Sequence, residues 1–115
     1  MRQILAYGDY FPSFRKQLTD SVHKKFKYVF SILETQERIS KKFVKLIRDG
    51  IYEIRVDADG NIYRVFFIFD EGNIIVLFNG FQKKTQKTPE AEIRKAIEIK
   101  NKYFEEKQNE TDQHI

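Results

Sequence analysis

Ile51-Tyr52-Glu53-Ile54-Arg55-Val56-Asp57-Ala58-Asp59-Gly60-Asn61-Ile62-Tyr63-Arg64-Val65-Phe66-Phe67-Ile68-Phe69 is the stretch whose reading decides the fold. Residues 51–56 alternate, with Tyr52, Ile54 and Val56 on one side and Ile51, Glu53 and Arg55 on the other, which is the period of a strand. Asp57 to Asn61 supplies the residues of a tight hairpin turn. Residues 62–69 are apolar on both sides apart from Arg64, so they read as a central strand. A five-residue loop would set Val56 opposite Ile62 and turn Arg64 to the face of Ile54. A one-residue bulge at Asp59-Gly60 would instead bring Arg64 to the face of Arg55, and the residues leave both registers open.

Outward from this hairpin, Asp70-Glu71-Gly72-Asn73 makes a second turn and Ile74 to Phe78 a further, wholly apolar strand. A short opening strand over residues 3–7 ends at Gly8-Asp9. Between them, Phe14, Leu18, Val22, Phe26, Val29, Phe30 and Leu33 recur at three- and four-residue steps, the mark of a helix burying one face. Thr19-Asp20-Ser21 is a point where that helix can divide in two, since all three residues suit caps better than helix interiors. Lys42 to Ile47 predicts one or two helical turns ended by Asp49-Gly50.

The expected architecture is α+β: an antiparallel meander of about four strands, N-terminal helices on one face, and a C-terminal helix. That last helix is predicted from Pro89 to about Lys107, with Thr88 as N-cap, Pro89 in the first turn, and Ile93, Ala96, Ile97 and Phe104 as its apolar stripe. Residues 1–107 read as a single domain. Residues 108–115, polar and patternless, read as a disordered tail.

With 115 residues, 41% of them hydrophobic and 15% aromatic, the chain is long enough to bury one core. Cysteine is absent, which excludes disulfides, thiolate nucleophiles and sulfur-ligated zinc. His23 and His114 stand far apart, which argues against a histidine metal site and predicts no metal or other cofactor. No run approaches the length of a membrane span and no leader pattern opens the chain, so a cytoplasmic protein is expected.

A net charge of +4 matters only where it concentrates. One concentration is Gly80-Phe81-Gln82-Lys83-Lys84-Thr85-Gln86-Lys87-Thr88-Pro89, between the last strand and the last helix. Another is the connector carrying Arg38, Lys41, Lys42, Lys45 and Arg48. Arg64 is the sharper signal, because an arginine in an otherwise apolar strand carries a desolvation cost unless it is partnered. Arg55 has a plain alternative as an ion-pair partner of Glu53 or Asp57.

The segments Ile51-Tyr52-Glu53-Ile54-Arg55, Tyr63-Arg64-Val65-Phe66-Phe67 and Phe81-Gln82-Lys83-Lys84-Thr85-Gln86-Lys87-Thr88-Pro89 resemble the RelE/HigB-like toxins, in particular the phage-derived Gp49-like group. The likeness covers roughly residues 42 to 104. It implies a small toxin fold of a type II toxin-antitoxin system, with a helix-turn-helix (HigA-like) antitoxin as partner. It also implies ribosome-dependent, metal-independent endonucleolytic cleavage of translated mRNA. By position, Arg55 and Arg64 stand where the family holds the scissile phosphate, and Lys83 or Lys84 where it keeps a basic residue. Glu53 occupies a site that is basic in some relatives, and no tyrosine or histidine aligns with their C-terminal catalytic residue.

Cleavage of this kind is attack by a ribose 2'-hydroxyl on the adjacent phosphorus, needing a base, an acid and positive charge. Arg55, Arg64, Lys83 and Lys84 supply charge; Glu53, or a lysine whose pKa is lowered by its neighbours, is the candidate proton carrier. Phe81, Lys87, Lys41, Lys42, Lys45 and Arg48 are the candidate RNA contacts. Two other readings are a non-catalytic module that binds RNA or protein, as a degenerate phage toxin would, and a gyrase-directed toxin. The Lys-Lys-Thr-Gln-Lys-Thr-Pro run argues against the latter.

Overall fold

The computed structural model describes residues 1–113. Its elements are β1 (Gln3–Ala6), α1 (Tyr10–Arg15), α2 (Asp20–Thr35), β2 (Val44–Arg48), β3 (Ile51–Ala58), β4 (Asn61–Asp70), β5 (Ile74–Lys83) and α3 (Glu90–Gln113). The fold is α+β, with a five-stranded sheet in the order β1-β5-β4-β3-β2. β1 runs parallel to β5 and every other pair is antiparallel. The doubly apolar β4 is the central strand, as its lack of a polar face predicts.

The fifth strand is β2, where one or two helical turns were expected. Two forces outside the segment decide this. Asp49 and Gly50 both take positive φ, 52° and 75°, making a two-residue turn that sends the chain straight back along β3. β3 offers an unpaired edge there, and β2 satisfies it from Val44↔Ile54 through Arg48↔Ile51.

Each face of the sheet carries its own apolar cluster. On one, α1 and α2 bring Phe14, Val22, Phe26, Val29 and Leu33 against Ile54, Val56, Val65 and Phe67. The N-terminal helical region does divide where its residues predict: Thr19 caps α2, its hydroxyl accepting from the Val22 amide at 3.3 Å. On the opposite face, Ile93, Ala96 and Ile99 of α3 cover Ile51, Phe66, Ile68, Val76 and Phe78. Ile99 takes the place in the stripe expected for Phe104, which is 39% exposed.

α3 begins one residue later than the expected Thr88 cap implies. The Pro89 carbonyl accepts from the Glu92 and Ile93 amides, so Pro89 itself stands at the cap position, where its missing N–H costs nothing. At the other end α3 passes Lys107 and continues to Gln113, so residues 108–113 are helical where a disordered tail was expected. His114 and Ile115 lie outside the described residues.

Two contacts fix the helices on the sheet. Gly80 leaves room for the Phe14 ring, and a Cβ at that position would stand 2.5 Å from it. Gly80→Ala is therefore expected to cost about 1–3 kcal/mol through overpacking, read as a lowered urea midpoint with unchanged slope. On the far side, buried Asp70 accepts from the Tyr103 hydroxyl at 2.5 Å and from Lys107 Nζ at 2.8 Å. Burial alone would raise the Asp70 pKa, but these hydrogen bonds outweigh it and hold the carboxyl below its usual value. A carboxylate with a depressed folded pKa stabilises the fold above its unfolded value, about 3.9, and loses that contribution as pH falls through the folded one. Acidification through that range should raise hydrogen exchange in the C-terminal turns of α3, and Asp70→Asn should remove the pH dependence.

Candidate functional site

The site is the half of one sheet face that α3 leaves uncovered. Its register follows from the hairpin. Asp59 and Gly60, with φ of 53° and 77°, form the whole turn, so Ala58 pairs with Asn61 and Arg55 lies directly opposite Arg64. The five-residue loop is thus excluded, and the two arginines share a face. Glu53 and its cross-strand neighbour Lys45 belong to the same face, since paired residues project to one side.

Lys83 reaches that face because β5 is irregular. Between Val65↔Gly80 and Phe67↔Leu77 the register shifts by one residue, a β-bulge at Phe78 and Asn79. Beyond a bulge the alternation inverts, so Phe81 pairs opposite Arg64 and Lys83 opposite Ile62, on the side of the arginines. The strand also runs to Lys83 and not only to Phe78. Gly80 to Lys83 is therefore rigid sheet, and only residues 84–89 form the loop into α3.

Glu53 and Arg64 are buried, at 2% and 3% exposure. Glu53 Oε1 lies 3.5 Å from Arg64 Nε and Glu53 Oε2 lies 3.7 Å from Arg55 Nε, so one carboxylate stands between two guanidiniums. Arg64 also donates from Nη1 to the Tyr63 carbonyl at 2.9 Å and comes within 3.5 Å of Asp57 Oδ1. Neither Glu53 Oε1 nor Arg64 Nε completes a hydrogen bond, so the attraction between them is electrostatic. Such a pair in a low-dielectric floor fixes where the guanidiniums sit.

Arg55, Arg64, Lys83 and Lys84 line an open cleft of about 620 Å³, with Asp57 at its rim. The Lys83 amine is held below the usual lysine pKa, first by partial burial and then by the positive charge of Arg64; Glu53 opposes the shift, and Arg55 and Lys45 add to it. Cations crowd there because they converge on one patch of sheet, and a lysine among them sheds its proton more readily.

The other candidate residues disperse. Phe81 packs on Phe66, ring centroids 5.4 Å apart, against the α3 cluster and outside the lining of the cleft. Lys41 and Lys42 are exposed in the turn before β2, outside the cleft, and Lys42 Nζ sits 5.6 Å from the Phe43 ring centroid. Arg48 is tied to α3: its Nη1 donates to Glu90 Oε2 at 3.1 Å and its Nη2 bonds Glu90 Oε1. That contact raises the Arg48 pKa and makes the residue a clamp on the helix start. Lys87 is exposed in the loop, where its carbonyl accepts from the Thr85 hydroxyl at 2.8 Å. Asn79 and Tyr10 were not singled out by the sequence. The only cue was a polar residue ending the most apolar strand.

Among the described residues no group of three or more His, Asp or Glu side chains is placed to hold a metal ion. No described helix is long and apolar enough to cross a membrane. Comparison with curated proteins returns no match. The family described as phage-derived protein Gp49-like matches residues 13–101, a span that includes α2, β2 to β5, the basic loop and the first half of α3. On that match the chain belongs to the phage-derived Gp49-like family.

Proposed function

We propose that this chain is the toxin of a type II toxin-antitoxin pair and a ribosome-dependent endoribonuclease acting on translated mRNA. The observation that carries this reading is the meeting of Arg55, Arg64 and Lys83 in one cleft over a buried carboxylate. Family membership supports it, and so does the likeness of the strand and loop segments to RelE/HigB toxins.

In this reading the scissile phosphate lies against Arg55 and Arg64, whose N–H groups match its oxygens and stabilise the charge of the pentacoordinate phosphorane. Lys83, in its neutral form, takes the proton of the 2'-hydroxyl as that oxygen attacks phosphorus. The P–O5' bond breaks and the departing oxygen takes a proton from water, leaving a 2',3'-cyclic phosphate and a 5'-hydroxyl. Glu53 is a positioning residue: it holds both guanidiniums and, unlike Arg64, does not line the cleft. The ribosome supplies the in-line orientation of the RNA. Lys84, Lys87 and the exposed Lys41 and Lys42 extend the positive surface toward ribosomal RNA. A helix-turn-helix antitoxin would silence the cleft by occupying or distorting it.

One observation favours the second reading, a binding module without catalysis. Glu53 offsets part of the charge of both arginines, and among the described residues no histidine lines the cleft. Induced expression followed by primer extension of translated messages decides between them. New 5' ends with growth arrest are expected for the nuclease; intact messages would leave the binding module.

A further inference from the structure

A second cavity, about 450 Å³, lies along β5 between α1 and α3, and Lys84 borders both it and the arginine cleft. Four aromatic rings line it, those of Tyr10, Phe14, Tyr63 and Phe81. Lys84 and Lys95 are its charged groups and no carboxylate lines it. Its remaining polar walls are amides and a hydroxyl, including Gln17, Gln82 and Ser13. Aromatic walls, neutral hydrogen-bonding groups and cations without an acid are what a nucleotide requires: a stacking surface, base-edge contacts and a phosphate counter-charge.

The hydrogen bonds already made bias which base fits. Gln82 donates from Nε2 to Asn61 Oδ1 at 3.2 Å, which leaves Gln82 Oε1 as an acceptor. Ser13 donates its hydroxyl proton to Asp9 Oδ2 at 2.6 Å, so Ser13 Oγ also has acceptor capacity left. Asn79 lies in the wall, its Nδ2 donating to the Glu92 carbonyl and to Glu92 Oε1, both at 3.1 Å. It anchors the bulge to α3 and so holds the cavity next to Lys83. The Gln82 Oε1 and Ser13 Oγ acceptors suit a base that carries an exocyclic amine.

We propose that this cavity holds the base of an RNA nucleotide flanking the scissile phosphate, with preference for adenine or cytosine over uracil. The proposal rests on the nuclease reading of the neighbouring cleft. Lys84, at the shared border, contacts the backbone between the two positions, and Lys95, its Nζ 5.9 Å from the Tyr10 ring centroid, supplies the second cation.

The test uses the full chain and 2'-O-methyl trinucleotides, which cannot be cleaved, followed by amide NMR and calorimetry. Adenine- or cytosine-bearing trinucleotides should shift the signals of Ser13, Gln17 and Gln82 together with those of Arg55 and Lys83. They should bind about fivefold to tenfold more tightly than the all-uridine trimer, the worth of one hydrogen bond. Gln82→Leu, an exposed position, should abolish that preference while Arg55→Ala weakens all trimers alike. Shifts confined to Arg55 and Lys83, with equal affinity for every base, would overturn the base site and leave the cleft reading standing. Shifts at Gln82 that persist unchanged in Arg55→Ala, with free AMP binding as tightly as the trimer, would make the ligand a free nucleotide and overturn the RNA assignment. No shift in either place would sink both readings.

Discussion

Lys83→Met is expected to lower the proposed cleavage of translated mRNA by about 10²- to 10⁴-fold, the usual contribution of a positioned proton carrier, with the protein still folded. Lys83 is only partly buried and closes no ion pair with the core, so shortening its charge to a thioether of similar length leaves the sheet intact. The pH profile carries the sharper signature. A base acts when deprotonated, so the rate rises with pH and levels off above the Lys83 pKa. Burial and then Arg64, with Arg55 and Lys45 behind it, hold the Lys83 pKa below the ordinary lysine value, so the inflection should fall below that value too. Arg55→Ala removes one of the cations responsible, so the inflection should move to higher pH. Single-turnover cleavage on programmed ribosomes across the alkaline range checks both statements; an unmoved inflection would take the proton transfer away from Lys83.

Removing Glu53 should have the largest effect on stability. Glu53→Ala leaves the buried Arg64 with only the exposed Asp57, 3.5 Å away, as counter-charge, at an expected cost of up to about 3–5 kcal/mol in urea denaturation. Arg64→Ala is the mirror case, but Arg55 lies 3.7 Å from Glu53 and softens it. Loss of toxicity in Arg64→Ala alone would therefore confuse chemistry with folding. The double replacement Glu53→Leu with Arg64→Met separates them. Replacing a buried ion pair with apolar groups of similar volume is often neutral or stabilising, so this variant should melt near the wild type and be inactive. A double variant as unstable as Glu53→Ala would mean that the pair contributes more than mutual compensation.

The central strand and its arginine were legible because no surface strand can be apolar on both faces, and the register of the pair turned on one feature of the same stretch. Asp59-Gly60 is short enough to be the entire loop once both residues take positive φ. Treating Asp57 and Ala58 as turn residues lengthened it and left two registers open, one of them with Arg64 on the face of Ile54. Two further features lay beyond local patterns. Lys42 to Ile47 has apolar residues that suit a helix or a strand, and the unpaired edge of β3 settled the choice. The face of Lys83 depended on the bulge at Phe78 and Asn79, which α3 stabilises by accepting from the Asn79 amide. No pattern within residues 74–83 reveals that inversion, so Lys83 and Lys84 stayed equivalent in the sequence. In the structure Lys83 is within the sheet among the cations, and Lys84 is exposed between two cavities.

Arg48 illustrates a different loss. Its basic neighbours suggested a surface for RNA, yet its guanidinium is already engaged by Glu90, more than forty positions away in the chain. Long-range ion pairs of this kind carry no periodicity to read.

The chemistry of the cut ends tests the account most directly. Fragments of translated mRNA made by the folded protein should carry a 2',3'-cyclic phosphate upstream and a 5'-hydroxyl downstream, detected by mass spectrometry and by ligation that requires those ends. Their yield should collapse in Lys83→Met and in the Glu53→Leu, Arg64→Met double variant. Fragments ending in a 3'-hydroxyl and a 5'-phosphate, or undiminished cutting in both variants, would contradict 2'-hydroxyl attack in the Arg55, Arg64 and Lys83 cleft.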